Sequence, residues 1–147
     1  MENAKKHVLL VANALTMPEI EEVSASIHHM KSIGTDIKIS LLYVKPYFPT
    51  CYFHIPSMIA LAEDFEQEAK TLLTSLGERL ELNADSQWIA TGRVKPETLK
   101  LAATLQVDFI LTSSSIHREL HQAFGFKNHR YTLPIHTIES LHSSFAA

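Results

Sequence analysis

The chain is 147 residues long, 46% hydrophobic and 20% charged, with a formal charge of −3 and one cysteine, Cys51. That length is one domain, able to bury roughly 70% of its unfolded surface without staples. The small negative charge offers no field for steering nucleic acid. One cysteine excludes an internal disulfide framework and fits a reducing cytoplasm, and no run approaches the about 18 apolar residues that span a bilayer.

In chain order, the opening imitates a secretion signal: Lys5 and Lys6, then Val8-Leu9-Leu10-Val11, then an A-x-A-like Ala12-Asn13-Ala14. Its apolar stretch is about five residues, whereas a signal core needs about 7–15, so a strand over residues 7–13, buried on both faces, is predicted instead. Thr16 with Glu19 three residues on is a capping box, and Ile20, Val23, Ile27 and Met30 recur at helical spacing. Gly34 stands where a left-handed C-cap belongs. Residues 36–44, with Ile37, Ile39, Leu41, Leu42 and Val44, read as a second central strand.

Residues 45–56 form a proline-bearing loop with Tyr47, Phe48, Tyr52 and Phe53. Two readings are open for it: a loop folded over the sheet edge, or a sticky surface for a partner or apolar ligand. Ser57 is the predicted cap of the longest helix, with a stripe of Met58, Leu61, Phe65, Ala69, Leu72, Leu76 and Leu80. Gly77 costs such a helix about 1 kcal/mol against alanine, so fraying or an end is predicted near it.

Residues 87–90 read as a short strand, followed by a turn at Gly92 and a helix opened by Pro96 that runs to Gln106. The strand Val107-Asp108-Phe109-Ile110-Leu111 comes next and delivers Thr112, Ser113, Ser114 and Ser115 to the carboxyl rim, where parallel sheets bind ligands. Ile116, Leu120 and Phe124 mark a brief last helix. Residues 133–138 close as a strand whose Pro134 and alternation suggest a sheet edge. Alternating β and α elements mean a parallel sheet covered by helices on both faces, in a single domain over residues 1–147.

Several residues invite chemistry, and each has a plainer role. The Ser113–Ser115 hydroxyls can line an anion site or simply N-cap the last helix. His117 and His121 share a helix face, and with Glu119 or His129 nearby a zinc or nickel site is conceivable. The order is not H-E-x-x-H, Arg118 would repel a cation, and nine histidines make the spacing common. Cys51 has only His54 as a sequence neighbour to activate it. Trp88 reads as structural and Arg93 as solvent-facing near the rim. Glu19, Glu21 and Glu22 suit a helix dipole without any catalytic role.

Taken together, the residues 6–12 opening, the residues 39–44 strand, the Gly92 turn, Val107-Asp108-Phe109-Ile110-Leu111 and the terminal Leu133-Pro134-Ile135 resemble the universal stress protein family over nearly the whole chain. The resemblance implies a Rossmann-like (adenine nucleotide alpha hydrolase-like) three-layer α/β sandwich, with a five-stranded parallel sheet in the order 3-2-1-4-5. In the family's nucleotide-binding branch, strand one ends in aspartate and strand four is followed by G-x2-G-x9-G-[ST]. Here those positions hold Asn13 and Ser113, and only Gly125 lies between Ser113 and Pro134.

The chain therefore resembles the A-type branch that does not bind ATP appreciably. That branch implies a cytoplasmic, non-catalytic stress-response or regulatory protein without cofactor or bound metal. It would act as a homodimer through the C-terminal strand and through a protein partner that the sequence does not identify, with neither nucleic acid nor membrane as a partner. The alternative is an ATP or AMP module with a degenerate pocket around Asn13, Val44, Ser113 and Ser114. A second rival is a hydrolase or metalloenzyme built on His117 and His121.

Overall fold

A computed structural model describes residues 5–121 and 134–138 of the chain. Five strands, β1 (Lys6–Val11), β2 (Ile37–Lys45), β3 (Gln87–Thr91), β4 (Phe109–Thr112) and β5 (Ile135–Thr137), form one sheet in the order β3-β2-β1-β4-β5. Every neighbouring pair is parallel. The register sets Val8 against Ile39 on one side and Phe109 on the other, so β1 is central.

Continuous apolar runs in β1, β2 and β4 follow from burial on both faces. Val8, Leu10, Ile39, Leu41 and Leu111 point to one side, where α1 (Met17–Ser32) and α2 (Pro56–Leu80) supply Val23, Ile27, Leu73 and Leu76. Leu9, Val11, Leu42 and Ile110 point to the other side. There α3 (Val94–Leu105) and α4 (Ser114–His121) supply Ala102, Ile116 and Leu120. Each such leucine or isoleucine, wholly buried, stabilises the fold by about 1.5–3 kcal/mol. Among the described residues no helix is long and apolar enough to cross a membrane.

The capping box at Thr16 and Glu19 is formed, with the Glu19 N–H donating to Thr16 Oγ1 at 3.3 Å. Gly34, at φ 87°, closes α1, and its successor Thr35 donates back to the Met30 carbonyl. Two further helices end in the same left-handed manner without glycine. Glu81 (φ 57°) follows α2 and Gln106 (φ 55°) follows α3, with Leu82 N–H bonding Gly77 O and Val107 N–H bonding Ala102 O.

Helix α2 departs from the expected pattern in three ways. It starts at Pro56 with Ile55 as an N-cap lacking any side-chain bond, so Ser57 does not cap it. Proline is preset for the first turn, where its missing N–H has no partner to lose. Gly77 neither frays nor ends the helix. It is buried inside an unbroken span, the Gln87 side-chain amide fills the place a Cβ would take, and its carbonyl closes the C-cap.

The predicted apolar stripe holds only in the second half. Ala69 is the first buried residue of α2, Leu61 is 41% exposed, and Leu73 rather than Leu72 is buried. The reason is length, since a helix of 25 residues is about 37 Å long at about 1.5 Å per residue. Its opening turns extend past the carboxyl edge of the strands it covers.

Helix α3 likewise starts two residues before Pro96, at Val94. The expected last helix is α4, described over Ser114–His121; Phe124 lies outside the described residues, as do Gly125, His129, Leu133 and the side chain of His121. Among the described residues β5 stands last in the strand order, paired with β4.

Candidate functional site

β1 leaves the sheet in a way that determines what the rim above it can offer. The last ladder bond runs from Ala12 N–H to Leu42 O at 2.7 Å, and the chain then turns through Ala14 at φ 60°. Asn13 continues the ladder with its side chain. Its Nδ2 donates to Val44 O at 2.7 Å and its Oδ1 accepts from Val44 N–H at 2.8 Å. The carboxamide thus substitutes for a peptide group, satisfying both polar groups of Val44 that face the gap.

At the other end of β1 a carboxylate does similar work. Asp108 Oδ2 accepts from His7 N–H at 2.7 Å, while the Asp108 N–H donates to the His7 carbonyl at 2.7 Å. The His7 ring packs inward, its Nε2 lying 2.7 Å from the buried Ser40 hydroxyl. Burial first, then Lys38, holds its pKa below the ordinary 6.5 against the opposing pull of Asp108.

Over the carboxyl ends of β1, β2 and β3 opens a cleft of about 1020 Å³. Tyr43, Val44 and Pro46 from β2 and its exit form the floor, Phe65 of α2 one wall, and Val94, Pro96 and Leu99 of α3 the other. Gly92, at φ 143°, bends the chain from β3 into this wall, and its N–H donates to Lys45 O at 2.9 Å. The charged groups at the cleft are Arg93 and Lys95, with Glu119 of α4 contributing the opposite sign.

Tyr43 has its phenol pKa pushed up by burial and by Glu68, whose carboxylate its hydroxyl bonds. Beside the cleft Lys45 pairs with Glu66, and Lys70 lies 3.8 Å from the same carboxylate. The Lys45 hydrogen bond holds the Glu66 carboxyl below its ordinary range.

Of the four pocket candidates named from sequence, Asn13 and Val44 line this cleft, whereas Ser113 and Ser114 do not. Ser113 is buried, and its Oγ accepts from Ile116 N–H at 3.3 Å, so it caps α4. His117 Nε2 lies 3.1 Å from Ile135 O, a bond in which this nitrogen must donate, which removes it as a metal ligand in this arrangement. Among the described residues no group of three or more histidine, cysteine or acidic side chains gathers as metal ligands would. Cys51 is exposed on the 3₁₀ turn Thr50–His54 and does not line the cleft.

Phe65 and Leu99 carry no mark in the sequence that singles them out as site residues, and Glu119 stands out there only as a possible metal ligand beside His117 and His121. The Gly92 turn, placed after a strand's carboxyl end, is the signal that pointed to Arg93. Among the described lining residues there is no serine, cysteine or histidine, and the groups with acid–base chemistry are Tyr43, Lys95 and Glu119.

No family model matches the chain. It is similar to universal stress protein A homolog 1 of Coxiella burnetii, 28% identical over 90 residues, covering 59% of this chain and 62% of that relative. The matched stretch therefore spans less than two thirds of the relative. The fold is similar to a universal stress protein family member from Burkholderia pseudomallei, with a TM-score of 0.57 and 14% identity over 90% of this chain and 94% of that one. It is also similar to a universal stress protein family protein from Arabidopsis thaliana solved with AMP bound, with a TM-score of 0.54 and 19% identity over 90% of each chain. At these identities the structural likeness is one of fold.

Proposed function

We propose that this chain, which belongs with the universal stress proteins by its sequence relative and its fold, is a non-catalytic cytoplasmic stress-response protein of the type that does not bind nucleotide. It acts as a homodimer through β5 and regulates by association with a protein partner.

The observation that carries this reading is the closure of Asn13 on Val44. A nucleotide base is read through free backbone N–H and C=O groups, and here the Val44 pair is consumed by a side chain. Phosphates are held by convergent backbone N–H groups with no Cβ in the way. The residue at the start of that loop is Ser113, whose hydroxyl is committed to capping α4.

The dimer reading draws on β5, a strand of three residues that stands last in the order of the described sheet, beside β4. Edges of this kind tend to pair with another edge, and a two-fold contact is the commonest closed solution.

A second reading, an AMP or ATP module with a degenerate pocket, draws on the AMP held by the Arabidopsis protein and on the volume of the cleft. Titration calorimetry with AMP and ATP separates the two. A dissociation constant weaker than about 1 mM is expected, and one below about 10 μM (roughly −7 kcal/mol) overturns the first reading. Light scattering at tens of micromolar is expected to give a dimer mass, and a monomer removes the β5 contact.

A further inference from the structure

The geometry points to the cleft as a binding site for a small apolar molecule bearing one anionic group, such as a medium-chain or aromatic carboxylate. This rests on the preceding reading in one respect only, that Asn13 and Val44 are closed to a nucleotide base.

Size is the first argument. Small-molecule sites are clefts of roughly 300–1,000 Å³ lined by apolar side chains with a few placed polar groups. A volume of about 1020 Å³ stands at the upper end of that range. The walls supply the second. Phe65 of α2 faces Pro96 and Leu99 of α3 across a floor of Tyr43 and Val44. The polar atoms of that floor are already engaged, Tyr43 by Glu68 and Val44 by Asn13. A ligand lying there meets carbon, and polar substituents along its body would be desolvated without partners.

Charge supplies the third argument. Arg93 is exposed at the N-cap of α3, lines the cleft, and forms no ion pair with a described residue. A guanidinium beside apolar walls favours a carboxylate, which it can take in a two-point contact. Glu119 lies on the α4 side of the same cleft and repels an anion there. The two charges therefore orient the ligand, with its anionic end toward the loop from Gly92 to Lys95 and its apolar body toward Phe65 and Leu99.

The test uses the full chain and 8-anilinonaphthalene-1-sulfonate, a fluorescent apolar monoanion, followed by displacement. The parent is expected to bind it saturably, one per chain, with displacement by decanoate and much weaker displacement by decanol. Arg93→Glu, at an exposed position that leaves the core intact, is expected to weaken binding by about tenfold or more, equivalent to about 1.4 kcal/mol. Leu99→Glu is expected to do the same with the thermal transition retained, and Ile59→Ser, on the exposed flank of α2, is expected to change nothing.

Binding that is indifferent to Arg93→Glu and lost in Ile59→Ser places the probe on the α2 flank and overturns the proposal. So does displacement by decanol as readily as by decanoate. Displacement by AMP at micromolar concentration overturns the preceding reading instead, because it shows the Val44 edge open to a base.

Discussion

The side chain of Asn13 and the main chain of Val44 are joined by two hydrogen bonds, of 2.7 and 2.8 Å, across 31 residues of sequence. A carboxamide carries a donor and an acceptor with nearly the spacing of a peptide unit, so it ends the β1–β2 ladder without leaving an orphan. An aspartate there would keep the acceptor and lose the donor, and would set a negative oxygen against the Val44 carbonyl.

Asn13→Asp and Asn13→Ala are each expected to destabilise the chain by about 1–3 kcal/mol, the range for stranding a partly buried backbone group. Urea denaturation reads this as a lower midpoint with an unchanged slope. Stability equal to the parent's would show that the pair contributes nothing. Asn13→Asp is also expected to leave AMP binding undetected, because Ser113 remains a helix cap.

Asp108 pins the start of β1 as Asn13 closes its end, by accepting from the His7 N–H. Asp108→Ala is expected to lower stability by about 1–2 kcal/mol, toward the low end for bonds to a charged group because the site is exposed. The sharper readout is local. Hydrogen exchange at the His7 amide is expected to accelerate in this variant more than exchange at Leu10, and equal acceleration at both would show only global loosening.

Glu81 and Gln106 occupy left-handed conformations in which an L side chain is strained by about 1–2 kcal/mol. Glu81→Gly and Gln106→Gly are each expected to stabilise by about 0.5–1 kcal/mol after glycine's greater loss of chain entropy. Gly34→Ala is expected to shift the melting temperature the opposite way. A loss of stability in both glycine variants would mean that the two side chains make contacts outweighing the backbone strain.

His7 makes stability depend on pH with a definite sign. Burial and Lys38 lower its folded pKa below the ordinary 6.5, so the unfolded chain takes up a proton first. Its contribution is complete above that ordinary value and is lost as pH falls through the lower folded value. The urea midpoint is expected to drop between about pH 7.5 and about pH 5.5, and His7→Gln is expected to flatten that drop. An unchanged slope in His7→Gln would assign the dependence to other groups.

The buried identities of Val8 to Val11 and Phe109 to Leu111 were legible from the residues, and the strand order from the family resemblance. Apolar runs separated by capped, periodic segments admit few packings, and the resemblance named one of them. The Gly34 cap and the Thr16–Glu19 box were legible too, because each is a local bond within a few positions. Nothing local marked Glu81 and Gln106 as left-handed, since any residue can be forced there when the helix end is held by packing.

The opening turns of α2 read as core because periodicity reports a face, not what lies opposite it. Leu61 is exposed because the strands stop before the opening turns of α2 do. Asn13 looks like a lost ligand-binding aspartate, and Ser113 like a lost glycine. Their actual partners, Val44 and the Ile116 N–H, depend on how strands distant in sequence stop and turn. The alternating pattern of the chain determined that a rim exists at the strands' carboxyl ends. Which polar groups remain free there was decided by tertiary structure alone, because hydrogen-bond satisfaction belongs to the assembled sheet and not to any one segment.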